Sequence, residues 1–310
     1  MLGIKTFTNH KIIPYIEGTR VRMLRKNIVL AMTLLVRDEV DIIETNIKYH
    51  LSQGVDIIVV MDNGSTDGTV DVLEKYKKLG KVDYIINKES GFLQDKWVSN
   101  LIAIAIDKYK ADFVINSDAD EFWVPKYFNL KTMVLVESDN DVIAVPVRNY
   151  LPPQDMRKKN FNLLNFEYFI NKTVGVPADY RNREINDLWL YRYSDKLITS
   201  KKIRKIGFGN DTIKYRGKIV STLTSAIDIY HFPIRSWKHF ETKVKNGGRS
   251  IMQNPSKDMG MGWQWRSWYK IYRQGKLKEQ YKVQTLKNRW GELMSRGVIR
   301  KSNLGFLNVA

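Results

Sequence analysis

Asp118-Ala119-Asp120-Glu121 puts three carboxylates into four residues, directly after the apolar run Phe113-Val114-Ile115. Like charges at that spacing repel, and partial burial at a strand end raises the cost. A divalent cation would remove the cost. Hard oxygen ligands suit Mg²⁺ or Mn²⁺, ions that commonly meet phosphate oxygens. The plain structural reading is a solvated acidic turn, and the tetrapeptide alone leaves both open. Two further polar clusters follow apolar runs in the same way. Arg37-Asp38-Glu39 ends NIVLAMTLLV (27–36), and Asp62-Asn63-Gly64-Ser65-Thr66-Asp67-Gly68-Thr69 ends VDIIVVM (55–61). Gly64 and Gly68 permit tight turns, and Ser65, Thr66 and Asp67 can cap the next helix. Capping does not account for Asp62, which stands where a ribose or base could hydrogen-bond to it.

The elements that must position these clusters are legible from periodicity. Residues 27–36, 55–61, 82–86, 112–117 and 142–147 are short apolar runs, the pattern of strands covered on both faces. Between them, Ile43, Ile47 and Leu51 mark one helix, stopped at Gly54. Val70, Leu73 and Tyr76 mark a second, before Gly80. Trp97, Val98, Leu101, Ile102, Ala105, Ile106 and Tyr109 mark a third. Alternating strand and helix predict an α/β fold with a mainly parallel sheet flanked by helices. In such sheets ligands bind beyond the carboxyl ends of the strands, where all three polar clusters fall. After Pro152-Pro153 the alternation stops. Residues 154–230 are irregular and basic, expected to form short strands and loops, and 235–246 and 263–290 are predicted helical. The expected division is an N-terminal arm (1–26), a core (27–150), an acceptor-side part (151–234) and a basic, mostly helical C-terminal extension (235–310).

Composition limits the classes available. At 310 residues with 43% hydrophobic and 12% aromatic content, the chain can build a sizeable core. It has no cysteine, which excludes disulfides, a thiol nucleophile and zinc-thiolate sites. No signal peptide or run long enough to span a bilayer is evident, so a soluble, cytoplasmic protein is expected. The formal charge of +18 is unevenly divided. Residues 1–150 carry 19 Lys and Arg against 21 Asp and Glu, and residues 151–310 carry 32 against 12. A basic second half can face nucleic acid, an anionic membrane or a phosphorylated substrate. Trp265, Trp268, Tyr269 and Tyr272 form an aromatic helical stripe beside Arg266, Lys270 and Arg273. The stripe is expected to pack on the catalytic core, with peripheral contact at the inner membrane face as the alternative.

There is no Gly-Lys-Ser/Thr after a glycine-rich loop and no G-x-G-x-x-G, which sets aside a P-loop and a dinucleotide fold. VRDEVDIIETNIKYHLSQGVDIIVVMDNGSTDGT, DKWVSNLIAIA and INSDADEFW, in that order, resemble the glycosyltransferase family 2 type of nucleotide-sugar transferase, in its bacterial and viral branch. The resemblance covers about residues 27–150. It extends more loosely to GFGND (207–211) and HFPIRSWKHFETKVKNGG (231–248). It implies a GT-A fold and a UDP- or GDP-sugar donor. By it, Asp118 and Asp120 match the DxD pair that holds Mn²⁺ or Mg²⁺ on the donor diphosphate, and Asp62 matches a nucleoside contact. Arg37, Asp38 and Glu39 match the loop lining the base pocket, and Lys96 and Trp97 a basic-aromatic pair near the donor. His231 matches a histidine that completes the metal shell. Arg235 is a candidate second clamp on the diphosphate, whose charge grows as it departs. An inverting transferase also needs a carboxylate base. Asp211 is ranked first, where the branch often has a histidine, then Glu121, with Asp179 and Asp187 also open.

The leading reading is thus a metal-dependent glycosyltransferase, acting on a glycan, lipid-linked or phosphorylated acceptor. A sugar-1-phosphate nucleotidyltransferase is the first alternative, though VRDEVD is not its glycine-rich basic loop. A nucleic-acid-binding protein is the second. Charge alone suggests it, and it leaves the three strand-end clusters unexplained.

Overall fold

The computed structural model describes residues 27–87, 94–156, 162, 165–174, 185–191, 193–253, 262–302 and 304. The expected N-terminal arm and Asp179 lie outside them. The first half alternates as its apolar runs require: β1 (Leu30–Val36), α1 (Ile43–Ser52), β2 (Ile57–Asp62), α2 (Thr69–Lys78), β3 (Val82–Ile86), α3 (Gln94–Asp107) and β4 (Phe113–Asp118). Then follow β5 (Glu121–Pro125), α4 (Leu130–Val136), β6 (Val142–Val145), β7 (Val147–Asn149), β8 (Tyr168–Ile170), β9 (Lys196–Ser200), β10 (Ser221–Leu223) and β11 (Ile227–His231). The chain ends in α5 (Trp237–Gln253), α6 (Trp263–Arg273), α7 (Leu277–Gln284), α8 (Trp290–Ser295) and β12 (Ile299–Lys301).

A seven-stranded sheet runs in the order β10-β6-β9-β4-β1-β2-β3. It is parallel except at β9, which lies antiparallel to both β4 and β6. Alternate side chains of each central strand enter opposite cores. Leu30, Met32 and Leu34 with Ile58 and Val60 face one hydrophobic cluster, while Ala31, Val59 and Val114 face the α3 helix in another. This two-sided burial is why the strands are continuous apolar runs instead of alternating ones.

Two expectations are revised. The run 142–147 is not one strand. Pro146 has no N–H to give a ladder, and the chain breaks there into β6 in the large sheet and β7 in a separate sheet ordered β5-β11-β7. The stretch 154–230, expected to hold short strands and loops outside the 27–150 core, supplies β9 to the middle of that core's sheet. The aromatic stripe packs inward as expected. Trp268 is buried, and Trp265 and Tyr272 pack against a third cluster that gathers α5 to α8 with Leu151, Ile170 and Trp189. Gly248 of α5 admits Tyr269, whose side chain lies where a Cβ would stand, and Gly247 packs against Trp265. Among the described residues, no helix is long and apolar enough to cross a membrane.

Candidate functional site

The parallel register brings Val36 level with Asp62, and Leu35 level with Asp118, so the tips of β1, β2 and β4 end side by side. The second sheet adds to this edge. β11 places His231 opposite Glu121 on one neighbour and opposite Asn149 on the other.

The acidic turn is held from behind by α1. Asn46 is fully buried, and its amide Nδ2 donates to Ala119 O and Glu121 O, both at 2.9 Å, the carbonyls on either side of Asp120. His50 Nδ1 lies 3.0 Å from Asn46 Oδ1, and His50 Nε2 accepts from the Trp123 backbone N–H at 3.2 Å. Burial pushes His50 down to about 3, so it is neutral and can accept that bond.

The three carboxylates of the turn divide their work. Glu121 is 1% exposed. One of its oxygens accepts from Ser117 Oγ and the Asp118 N–H, and the other meets Lys196 Nζ at 3.1 Å. Burial raises it to about 7. With both oxygens engaged, Glu121 shapes the turn and is not placed to deprotonate an acceptor. Asp118 is more open and pairs through Oδ2 with Lys196 at 2.9 Å. Burial would depress the Lys196 ammonium, but Asp118 and Glu121 outweigh it and hold the lysine charged. Asp120 is buried. Burial works to raise its carboxyl, yet the Lys243 ammonium, 2.9 Å from Oδ2, and the Arg235 guanidinium hold it well below the usual range.

His231 Nδ1 lies 2.7 Å from Asn149 Oδ1, which as an acceptor keeps the proton on Nδ1. Burial pushes the imidazole down to about 4. The neutral ring therefore turns a lone pair on Nε2 toward Asp120 Oδ1, 3.6 Å away. Two acceptors facing each other across that gap need a proton or a cation between them. The donor set thus fits a hard divalent cation in chemistry. Asp120 and His231 already face each other, while Asp118 is turned to Lys196. Among the described residues, no three His, Asp or Glu side chains converge on one metal position.

The remaining sequence candidates fall into two groups. Asp62 is 1% exposed at the tip of β2. Its Oδ2 accepts from the Gly64 and Ser65 N–H groups, and its buried Oδ1 has no partner. Asp38 sits at φ 54° and staples the β1 loop to the β2 loop, accepting from the Thr66 N–H while its own N–H donates to Ser65 Oγ. Arg37 is exposed, 3.9 Å from Asp38. Glu39 faces inward to Arg235, and burial raises it to about 7.

The others stand differently from a donor contact. Arg235 is fully buried and spends its fork on Glu39 and Asp41. Only its Nη1 is left without a hydrogen bond, 3.8 Å from Asp120. The guanidinium thus braces the first loop against the acidic turn and is not turned out as an open clamp. Trp97 is buried in the cluster beneath α3 and supports that helix, while Lys96 beside it is exposed. Asp187 lies apart from the cluster, paired with Arg289 at 2.6 Å. Asp211 follows a short 3₁₀ turn, Phe208–Asn210, on a loop that packs against the start of α3 through Ile206 N to Ser99 Oγ and Lys214 to Asp95. It is half-buried.

Four residues of the cluster were missed by sequence reasoning: Lys196, Lys243, Asn149 and Asp41. Lys243 lies inside the HFPIRSWKHFETKVKNGG segment and Asp41 inside VRDEVDIIETNIKYH, the available signals. Lys196 and Asn149 carry none.

The charged cluster gathers at the strand tips of a mainly parallel α/β sheet, where open α/β folds bind their ligands. Family comparison makes this specific: residues 26–267 match the model of glycosyltransferase family 92, and the chain belongs to that family. The enzyme class expected from the sequence stands, with family 92 as the family that matches. No curated protein matches the chain. Among solved structures, S. aureus TarS 1-349 is 14% identical over 87% of this chain and 74% of its own, with a TM-score of 0.36. HddC from Yersinia pseudotuberculosis is 17% identical over 70% and 99%, with a TM-score of 0.37. Glucosyl-3-phosphoglycerate synthase from Mycobacterium tuberculosis, solved with Mn²⁺ and UDP, is 15% identical over 47% and 52%, at 0.30. TarS has also been solved with UDP-GlcNAc. Likeness at this level carries no argument about the ligands of this chain.

Proposed function

We propose that the chain moves a sugar from a nucleoside-diphosphate sugar, with uridine or guanosine as the base, to a glycan acceptor. The donor occupies the crevice beyond β1, β2 and β4 in the 27–150 core, and the acceptor approaches from the 151–234 side. The observation that carries this reading is the pair of neighbouring acceptors, Asp120 Oδ1 and His231 Nε2, 3.6 Å apart at the strand tips.

Asp120 and His231, with Asp118 after it leaves Lys196, would hold a divalent cation. When bound, the cation supplies neutralisation of the diphosphate oxygens as negative charge builds there. The chain's own residues do the rest. Asp62 Oδ1, buried without a partner, accepts a hydrogen bond from the nucleoside. Lys196 and Lys243 are held charged, so they can offset the charge of the leaving diphosphate. Asn46 fixes the carbonyls around Asp120, so these charges do not reorganise during transfer. Asp211, outside the locked cluster, takes the proton of the acceptor hydroxyl. The alkoxide then attacks opposite the leaving group, which inverts the anomeric centre.

The test is release of nucleoside diphosphate from uridine and guanosine sugars. Asp120→Asn keeps the shape and removes the charge, and it lowers kcat on the order of 10²-fold. An Asp120→Asn variant with wild-type turnover would overturn the assignment.

A further inference from the structure

Helix α5 brings two polar side chains to the charged cluster from one face. Lys243 Nζ reaches Asp120 Oδ2 at 2.9 Å. His239 stands one turn earlier, a spacing that sets the two side chains next to each other, about 5–6 Å apart at Cβ. Phe240 and Val244 are buried in the third cluster and hold the helix in this orientation. The helix starts beside Arg235, whose fork is spent on Glu39 and Asp41. The charges of Arg235, Lys243 and Asp120 all bear on His239, so its ring belongs to the same cluster.

The backbone sets the polarity of that ring. The Arg235 N–H donates to His239 Nδ1 at 3.3 Å, and the His239 N–H donates to Ser236 Oγ at 3.1 Å. With Nδ1 accepting, the imidazole proton sits on Nε2. Burial, then the charges of Arg235 and Lys243, drive His239 well below its ordinary value and keep it neutral. Among the described residues, no acceptor takes the Nε2–H. The nearby carboxylates are engaged elsewhere, Glu39 and Asp41 with Arg235 and Asp120 with Lys243. The side chain is half-buried, which leaves it open to a ligand. The two histidines near Asp120 therefore have opposite polarity. His231 offers a lone pair, which suits a cation. His239 offers an N–H, which cannot ligate a metal and needs an oxygen. Beside the Lys243 ammonium, the oxygen of an anion meets that need best.

We infer that His239 Nε2–H donates to a phosphate oxygen of the donor diphosphate, next to Lys243. It would hold the leaving group in place without adding a charge that could be lost with pH. The inference rests on the transferase reading for its ligand.

Two variants separate the two edges of the ring. His239→Asn puts an amide oxygen where Nδ1 accepts from Arg235 and removes the outward N–H. His239→Gln puts an amide N–H near the place of Nε2 and gives up the acceptor. The full chain is titrated with UDP and GDP in Mn²⁺ by calorimetry, and with uridine and guanosine by ligand-observed NMR as phosphate-free probes. His239→Asn weakens binding of the nucleoside diphosphate about tenfold, the loss expected for one hydrogen bond to a charged group. It leaves the nucleoside unchanged, and His239→Gln binds the diphosphate nearly as the wild type does. A ring that only caps the start of α5 gives the reverse order, because His239→Asn keeps the contact to Arg235. The reverse order, equal effects in the two variants, or a parallel loss of nucleoside binding overturns the inference and leaves the donor reading standing. A wild-type chain that binds neither UDP nor GDP sinks the donor reading, and the inference with it.

Discussion

Asp120 and Glu39 are both buried carboxylates near Arg235, and their surroundings drive them in opposite directions. Asp120 has Lys243 at 2.9 Å and stays ionised. Glu39 shares its guanidinium with Asp41 and feels the charge of Asp120, so burial prevails and raises it from 4.5 to about 7. A carboxyl with a raised folded-state pKa favours folding most when protonated. Its contribution is complete below about 4.5 and is lost as the pH rises through about 7. Glu39→Gln stays neutral and escapes that loss. The melting temperature of the variant minus that of the wild type therefore increases across this window in a pH series of thermal melts. A difference that is flat or falls with pH would contradict the assignment. At this scale, Asp62, Asp118, Asp120 and His231 were legible because each lies in a strand-end cluster or a recognisable segment. Lys196 and Lys243 were not. They reach their carboxylates across 78 and 123 residues of sequence, and nothing local separates them from the other basic side chains.

Helix α1 does more than cover the sheet. Through Asn46 it fixes the carbonyls beside Asp120, and through His50 it fixes the backbone of Trp123 in β5. Asn46→Ala leaves two buried carbonyls without its amide, at a cost of about 2–3 kcal/mol in denaturant unfolding, while His50 keeps the Asn46 backbone carbonyl at 2.9 Å. Asn46→Asp costs more than Asn46→Ala, because a carboxylate would face both carbonyls. Equal stability of the three proteins would show that the turn holds itself. Elements built from local periodicity were legible to within a few residues, as for β3 at Val82–Ile86 and α3 at Gln94–Asp107. β9 was not, since Lys196–Ser200 is short and its place between β4 and β6 depends on partners far away in sequence. β5 was hidden for a different reason. Its apolar residues follow the carboxylates so closely that the turn absorbed Glu121.

For the whole molecule, the uneven charge acquires a structural counterpart. The acidic half supplies the crevice carboxylates, and the basic half supplies Lys196, Lys243 and Arg235, which enter that crevice and pair with them. Among the described residues, further positive charge stands exposed on the 201–218 stretch, as at Lys201, Lys202, Arg204 and Lys205, and on α6 and α7, as at Lys270, Lys278 and Lys282. The central claim is that one crevice binds a nucleoside-diphosphate sugar together with a divalent cation. Thermal melts test it most directly, with uridine, guanosine and cytidine sugars, each with and without Mn²⁺. Ligand at 100 times its dissociation constant stabilises the folded chain by about 2.7 kcal/mol. One nucleotide series raises the melting temperature only when Mn²⁺ is present, and the Asp118→Ala, Asp120→Ala double variant stays folded without showing the shift. A shift of wild-type size in that variant, or none from any nucleotide sugar with Mn²⁺ in the wild-type chain, would contradict the account.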